Sequence, residues 1–471
     1  MMKRNYIYIA LSLVIVLFAS CKIGKSYTRP ELYLPDSLAQ RQDTLSLGDE
    51  AWWEVYTDST LRSLIAKTLD HNKDLLIAAA RVKEMAAQKR ISTANLLPNI
   101  QGTVTGEREL ENHGGDAFRR TDTFEAQLLF SWELDLWGNL RWARSASVAD
   151  YLQSVEAQRA LRMTIVAEVA QAYYELVALD TELDIVKQTL KAREEGMRLA
   201  RIRFEGGLTS ETSYRQSQVE LARTATLVPD LERKISLKEN DIAFLAGEYP
   251  NKVVRGELLH TFDFPNELPV GLPSTLLERR PDVRQAGQKL IATNARVGVA
   301  YTNMFPRISL TGRVGSESLS LSELVKSPYA IIEGALLTPI LGWGKNRAAL
   351  KAKKAAYEGE VHSYEKTVLT AFKETRNAIV NFNKIKEVYE LRAHLERSSK
   401  SYVDLAQLQY INGVINYLDV LDAQRSYFDA QIGLSNAIRD ELIAVVQVYK
   451  ALGGGWQVRS DEVSESGKQK K

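Results

Sequence analysis

The chain has 471 residues, with 61 lysines and arginines against 59 aspartates and glutamates spread along its length, so nothing in the charge balance points to nucleic acid. Its single cysteine, Cys21, excludes an internal disulfide and argues against a thiol-ligated metal. Beyond the N-terminal segment there is no run of eighteen apolar residues, so any membrane crossing has to be made by strands.

Residues 1–20 read as a targeting segment. Lys3 and Arg4 precede an apolar stretch from Ile7 to Ala19 that is too short to span a bilayer comfortably. Leu17-Phe18-Ala19-Ser20-Cys21 resembles a bacterial lipoprotein signal, in which Cys21 is acylated and becomes the new N-terminus. A plain secretory signal with an incidental cysteine is the alternative. Lys22 after the cysteine resembles the pattern of lipoproteins sent on to the outer membrane. Residues 21–58, rich in proline and polar side chains as far as Gly48, read as an extended strap.

A first structural unit spans 59–260. Trp52-Trp53 and then Leu61, Leu64, Ile65, Leu69, Leu75, Leu76 and Ala79 open one long helical pattern that continues without glycine or proline to Asn95. Leu97-Pro98 ends it. The period then falls to two over a hairpin at 99–136. Ile100, Gly102, Val104 and Gly106 alternate with polar residues, as do Phe124, Ala126, Leu128, Phe130, Trp132, Leu134 and Leu136, with Asn112 to Asp122 as the loop. A helical hairpin with its tip at 204–210 follows, and Pro229 is expected to kink or break its second arm.

The second unit, 261–456, repeats this plan. A gapless offset of 206 lays Trp137 on Trp343, Gly207 on Gly413, Gln218 on Gln424 and Gly247 on Gly453. In its β-hairpin, 307–341, Ile308, Leu310, Gly312 and Val314 alternate with polar residues, and the return strand, about Tyr329 to Leu341, carries Pro339. From Lys345 to Gln409 there is no proline and one glycine, Gly359, which predicts a helix roughly 90 to 100 Å long. The chain turns on Asn412-Gly413, within a tip at 410–416. A last pattern from Leu418 to Leu452 keeps Leu421, Phe428, Ile432, Ile438, Leu442, Val445 and Tyr449 on one stripe, as coiled packing requires. Gly453-Gly454-Gly455 stops it, and 457–471 is a charged tail.

The fold class is therefore mainly α with a membrane β-barrel. Four strands cannot close a barrel, about eight being the minimum, and an open edge in lipid leaves backbone groups unpaired at several kcal/mol each. Several chains must then share one barrel; the alternative is two soluble hairpins packed on helices. Chemistry is poorly provided for. The five histidines are scattered, and Gly342-Trp343-Gly344-Lys345-Asn346 lacks phosphate-loop spacing. Glu133 and Asp135 fit a structural place on the polar face of a strand. No metal, cofactor or enzymatic activity is expected.

Longer blocks carry a resemblance to a known family. Leu276-Leu277-Glu278-Arg279-Arg280-Pro281-Asp282-Val283-Arg284, Asn294-Ala295-Arg296-Val297-Gly298-Val299-Ala300 and Phe305-Pro306-Arg307-Ile308-Ser309-Leu310 resemble the signature of TolC-like outer-membrane efflux proteins, in the lipoprotein branch typified by OprM. Trp132 to Gly138 and Leu452 to Trp456 resemble further blocks. The resemblance implies a homotrimer in outer-membrane lipid, with four strands per chain in a 12-stranded barrel continuous with an α-helical periplasmic tunnel. It implies a passive exit duct of a tripartite efflux pump for small molecules such as drugs, served by an inner-membrane pump of RND or ABC type and opened by a periplasmic adaptor. The adaptor would meet the turns, here Gly206, Gly207, Leu208 and Ser210 in one tip and Asn412, Gly413 and Asn416 in the other. Asp419 and Asp422, three apart on one helix face, match aspartates that ring a periplasmic constriction and favour cations. Tyr410 matches a tyrosine that in TolC holds the closed state with an arginine, but Ile415 stands at the arginine's position and Ser213 at that of a first-repeat aspartate. Closure is thus expected to rest on something else, with an apolar constriction of Val414 and Ile415 as the candidate. The exit duct of a type I protein-secretion system and a non-pore periplasmic coiled-coil scaffold are the competing functions.

Overall fold

A computed structural model of the chain describes residues 22–32, 46–112, 114–115, 118–256, 269, 273–338 and 342–457. Cys21 with the signal, Pro339 and the tail beyond 457 lie outside the described residues. The fold is mainly helical with one small sheet. In chain order it comprises α1 (Trp52–Val55), α2 (Ser59–His71), α3 (Lys73–Ala94), β1 (Asn99–Glu111), β2 (Arg119–Leu134), α4 (Asn139–Glu205) and α5 (Glu211–Leu245). Then come α6 (Pro273–Arg279), α7 (Pro281–Thr302), β3 (Arg307–Ser318), β4 (Pro328–Leu337), α8 (Trp343–Ile411) and α9 (Tyr417–Ala451), with short 3-10 turns at 47–49 and 321–326.

The chain divides into two compact units. One, built around 80–155 and 285–366, holds the four strands as a single antiparallel sheet in the order β1-β2-β3-β4. The registers align the alternating residues into rows: Ile100 pairs with Phe130, Phe130 with Gly312 and Gly312 with Ile332, while the next row joins Gly102, Leu128, Val314 and Ala330. The opposite face carries Glu125, Gln127 and Tyr329, and Arg313 lies 3.1 Å from Glu333. One face is thus apolar and the other polar, as a period of two dictates. In the same unit Trp142 packs where Gly298 has no side chain, a Cβ there falling 2.3 Å from the indole. Trp142 Nε1 donates to Ile23 O at 2.8 Å and Ile23 N donates to Trp137 O at 3.2 Å, which pins the N-terminal strap.

The other unit, built around 46–79, 156–284 and 367–457, has its core on Trp52, Leu61, Ile65, Val169, Tyr173, Leu442, Tyr449 and Leu452. The signature residues of 276–284 work here as a clamp. Arg280, buried, donates to Ala451 O at 3.1 Å and to Glu374 at 2.6 Å, Arg279 pairs with Asp49 at 2.7 Å, and Arg284 pairs with Glu156 at 2.6 Å. The chain end closes on them: Gly454 lies so near Tyr449 that a Cβ would sit 2.2 Å from its ring, and the Tyr449 hydroxyl donates to Glu50 O at 2.8 Å.

Four expectations change. The single helix expected from Leu61 to Asn95 stops at Asn72, whose Nδ2 donates to Leu245 O at 2.8 Å while its Oδ1 accepts from Leu75 N at 3.0 Å. That side chain ends α2 and caps α3, so no glycine or proline is needed. α5 runs unbroken through Pro229. Ala225, whose carbonyl the proline leaves without a donor, is exposed, as is Pro229, so the lost bond falls on the solvent side. The loop of the first β-hairpin is shorter than Asn112 to Asp122, because Arg108 pairs with Asp122 at 2.7 Å across the ladder and lets the strands continue. Asp135 is not on the strand's polar face: it accepts from the backbone of Leu140 at 2.9 Å and Arg141 at 3.0 Å, capping α4.

Gly454→Ala drives a methyl group into the Tyr449 ring and is expected to cost about 1–3 kcal/mol, read as a lowered thermal midpoint of the detergent-solubilised protein. Gly359→Ala, with nothing within 4 Å, should leave the midpoint unchanged or raise it.

Candidate channel tip

The two helical hairpins turn by the same backbone device. In the first, Gly207 N donates to Phe204 O at 2.9 Å and Leu208 N to Arg203 O at 2.8 Å; in the second, Gly413 N donates to Tyr410 O at 3.0 Å and Val414 N to Gln409 O at 2.9 Å. This crossed pair satisfies the last carbonyls of α4 and α8 and needs a left-handed residue, which Gly207 and Gly413 supply with φ of +75° each. Gly206 precedes the first of these stops, and the Asn412 side chain donates to Leu408 O at 2.8 Å before the second. Ser210 and Asn416 are the N-cap residues of α5 and α9. Asp419 completes a reciprocal cap, accepting from Asn416 N at 3.0 Å. Leu208 and Val414 are left 73% and 69% exposed at the two turns.

Behind the turns α4, α8 and α9 share a small core. Ala200 of α4, Val403, Ala406 and Tyr410 of α8, and Tyr417, Val420 and Leu421 of α9 are buried together, with Ile415 half-buried against them. The Tyr410 and Tyr417 rings lie 5.3 Å apart, and the Arg203 guanidinium stands 4.6 Å over Tyr410. Tyr417 uses a gap in α4: a Cβ on Gly196 would sit 2.9 Å from its hydroxyl. Burial first, and the neighbouring Tyr410, push the Tyr417 hydroxyl up to about 12.

One further set joins the first hairpin to the second. The Glu220 side chain, 3% exposed on α5, lies 3.1 Å from Arg193 of α4 and 2.6 Å from Arg425 of α9, with Arg223 at 3.5 Å. Arg193 also donates to Glu220 O at 2.9 Å and to the Thr224 hydroxyl, and stands 5.7 Å from the Phe428 ring. Burial alone would raise the Glu220 carboxyl, but the hydrogen bond from Arg425 and the charges of the arginines hold it below its ordinary value. Such a cluster is costly to desolvate and costlier to leave half-made.

Of the residues singled out in the sequence, Tyr410 and Ile415 come together in the tip core, whereas Val414 faces solvent on the turn. Asp419 and Asp422 are both exposed, and the former is engaged in capping. Glu220, Arg193 and Arg425 were missed. The available signal was a departure from the 206-residue offset, under which Arg193 falls on Ser399, Glu220 on Ser426 and Thr224 on Ala430.

The family model described as outer membrane efflux protein matches residues 64–248 and 272–454. The chain belongs to the outer membrane efflux protein family. It is 32% identical to outer membrane protein OprJ of Pseudomonas aeruginosa, over 97% of each chain, and 28% identical to the cation efflux system protein CusC of Escherichia coli, over 94% of this chain and 98% of that one. The fold superimposes with a TM-score of 0.85 on the open state of the outer membrane channel MtrE of Neisseria gonorrhoeae, at 28% identity, covering 93% of this chain and 99% of the other.

Glu220→Ala leaves buried arginine charge uncompensated and is expected to loosen the tip by about 3 kcal/mol, read as faster amide hydrogen exchange around Arg193 and Arg425 and little change near Tyr173. The depressed Glu220 carboxyl makes the wild-type contribution complete above the ordinary carboxylate range and lost as pH falls through the folded value. Protection at the tip, taken relative to the intrinsic amide exchange rate at each pH, should therefore fall on acidification in the wild type and be less pH-dependent in the variant.

Proposed function

We propose that this protein is the outer-membrane exit duct of a tripartite efflux pump, acting as a homotrimer that passes small molecules outward without energy of its own. The observation that carries the reading is the four-stranded sheet. Its edge strands, β1 and β4, run in opposite directions because successive strands alternate. An edge of one copy therefore suits the opposite edge of the next, and three copies give a closed twelve-stranded barrel with no strand unpaired. The apolar rows through Phe130 and Leu128 suit lipid, and the face with Glu125 and Gln127 suits a wet lumen.

Three further features fit this reading. Lys22 stands 3.5 Å over the Trp142 ring and donates to Ser145 at 2.9 Å, so an acylated Cys21 would start from a fixed point beside the sheet unit. Asp419 and Asp422, exposed near the turn, supply carboxylates that three copies bring around one axis, favouring cations. Leu208 and Val414 offer apolar contacts at the turns to a periplasmic adaptor, which links the duct to an inner-membrane pump. The Glu220 cluster then takes the place of the tyrosine and arginine link that Ile415 precludes, holding the inner hairpin until the adaptor engages. Cargo is set by the pump and not by this chain.

Single-channel conductance in planar bilayers tests the reading. The trimer should show a small, cation-preferring conductance. Asp419→Asn with Asp422→Asn, which keeps a capping side chain at 419, should lose the preference, and Arg425→Gln should raise the conductance severalfold. A monomer in detergent that never conducts, with Arg425→Gln equally silent, would exclude the duct.

A further inference from the structure

The first turns of α8 hold an unusual charge distribution. Between 345 and 354 stand Lys345, Arg347, Lys351, Lys353 and Lys354, with no acidic residue until Glu358. All five are exposed, and none makes an ion pair among the described residues, although ion pairs are common elsewhere in the chain. Lys345, in the first turn, opposes the helix dipole, and repulsion between like charges four apart, as at Arg347 and Lys351, adds to the cost. Arg347, Lys351 and Lys354 follow at i, i+4 and i+7, so they form one stripe.

That stripe ends at a cleft. A space of about 500 Å³ is lined by Ile23, Val297, Leu350 and Tyr357 together with Lys25 and Lys354. Its wall is the strap that Trp142 and Trp137 pin, four residues or fewer from Cys21. Gly24 takes the left-handed region, φ +136°, to pass the Trp142 ring. Trp343, 53% exposed, opens α8 just after the last strand. An apolar cleft with a lysine from each wall, a basic stripe, an exposed tryptophan and a lipid attachment point thus share one place, next to strands that meet lipid in the proposed barrel.

We propose that Arg347, Lys351 and Lys354, with Lys25, form a docking surface for anionic phospholipid headgroups, whose phosphates offset the stripe's repulsion while acyl chains lie along the cleft. The inference rests on the outer-membrane reading above. Charge complementarity selects the occupant: an uncharged or zwitterionic lipid would leave the lysines unmatched, and a basic stripe beside lipid gains from each negative headgroup within a Debye length.

The test uses the full-length acylated trimer in detergent and dansyl-labelled phosphatidylglycerol, with dansyl-labelled phosphatidylcholine as reference, read by energy transfer from tryptophan. The wild type should prefer phosphatidylglycerol by about tenfold at low salt and lose the preference in 1 M salt, near which the Debye length falls to about 3 Å. The combined variant K25Q, R347Q, K351Q and K354Q should bind both lipids alike while remaining trimeric, and K353Q, off the stripe, should behave as wild type. An undiminished preference in the combined variant overturns the proposal. So does a variant that falls to monomers, since the stripe would then be a contact between copies. Conductance of the same wild-type sample keeps the readings apart: a conducting trimer without lipid preference loses this site alone, and the duct stands.

Discussion

Backbone groups on the two open edges of the sheet are the constraint from which the rest of the architecture follows. β1 and β4 each present a row of N–H and C=O groups with no partner in the chain's own sheet. In lipid that cost is prohibitive, and only closure removes it. An even number of strands makes the edges antiparallel, so one copy can pair with the next by the ladder it already uses internally. A duplicated hairpin gives the even number directly. The same duplication supplies two helical hairpins, so oligomer and tunnel both trace to one repeated unit of strands and helices.

The duplication is strict where backbone geometry matters and lax where chemistry does. Gly207, Gly247, Gly413 and Gly453 all have φ between +71° and +85° and all end helices with the same crossed hydrogen bonds. No other residue type enters that region as cheaply, so both copies keep glycine. The buried charges behind the turns are not repeated. Arg193 and Glu220 belong to the first copy only, and Arg425 reaches them from the second. The two hairpins are therefore alike in shape and unlike in charge, which allows one to be held against the other.

Much of this was legible in the sequence because it is written in periodicity. Alternation gave the strands and their two faces, and glycine spacing gave the turns. What escaped was carried by side chains that bond backbone. Asn72 breaks a helical pattern that hydropathy reads as continuous, and Asp135 caps α4 although alternation places it on a strand. Pro229 does not break α5, and the carbonyl that loses its donor belongs to Ala225, an exposed residue. The signature at 276–284 identified a family without showing its work. Only the folded chain connects Arg280 to Ala451 and Arg284 to Glu156, residues far apart in the sequence. The turns at Gly207 and Gly413 stand where glycine spacing placed them, and Glu220 was missed because a lone carboxylate on a helix looks like a solvated charge.

The energies at the tip bear on how a passive duct can be switched from outside. On the proposed reading, pulling one Glu220 cluster apart while its arginine charge stays buried costs about 3 kcal/mol, hence about 9 kcal/mol for three copies. Covering one exposed leucine or valine returns about 2 kcal/mol, and three copies of Leu208 and Val414 offer six such side chains, about 12 kcal/mol before association costs. The two sums are commensurate. In the proposed gate, a partner that covers the turns therefore has enough apolar contact to release the inner hairpin, but little surplus. On that proposal, opening depends on all the turns being covered, and a duct without its adaptor stays shut.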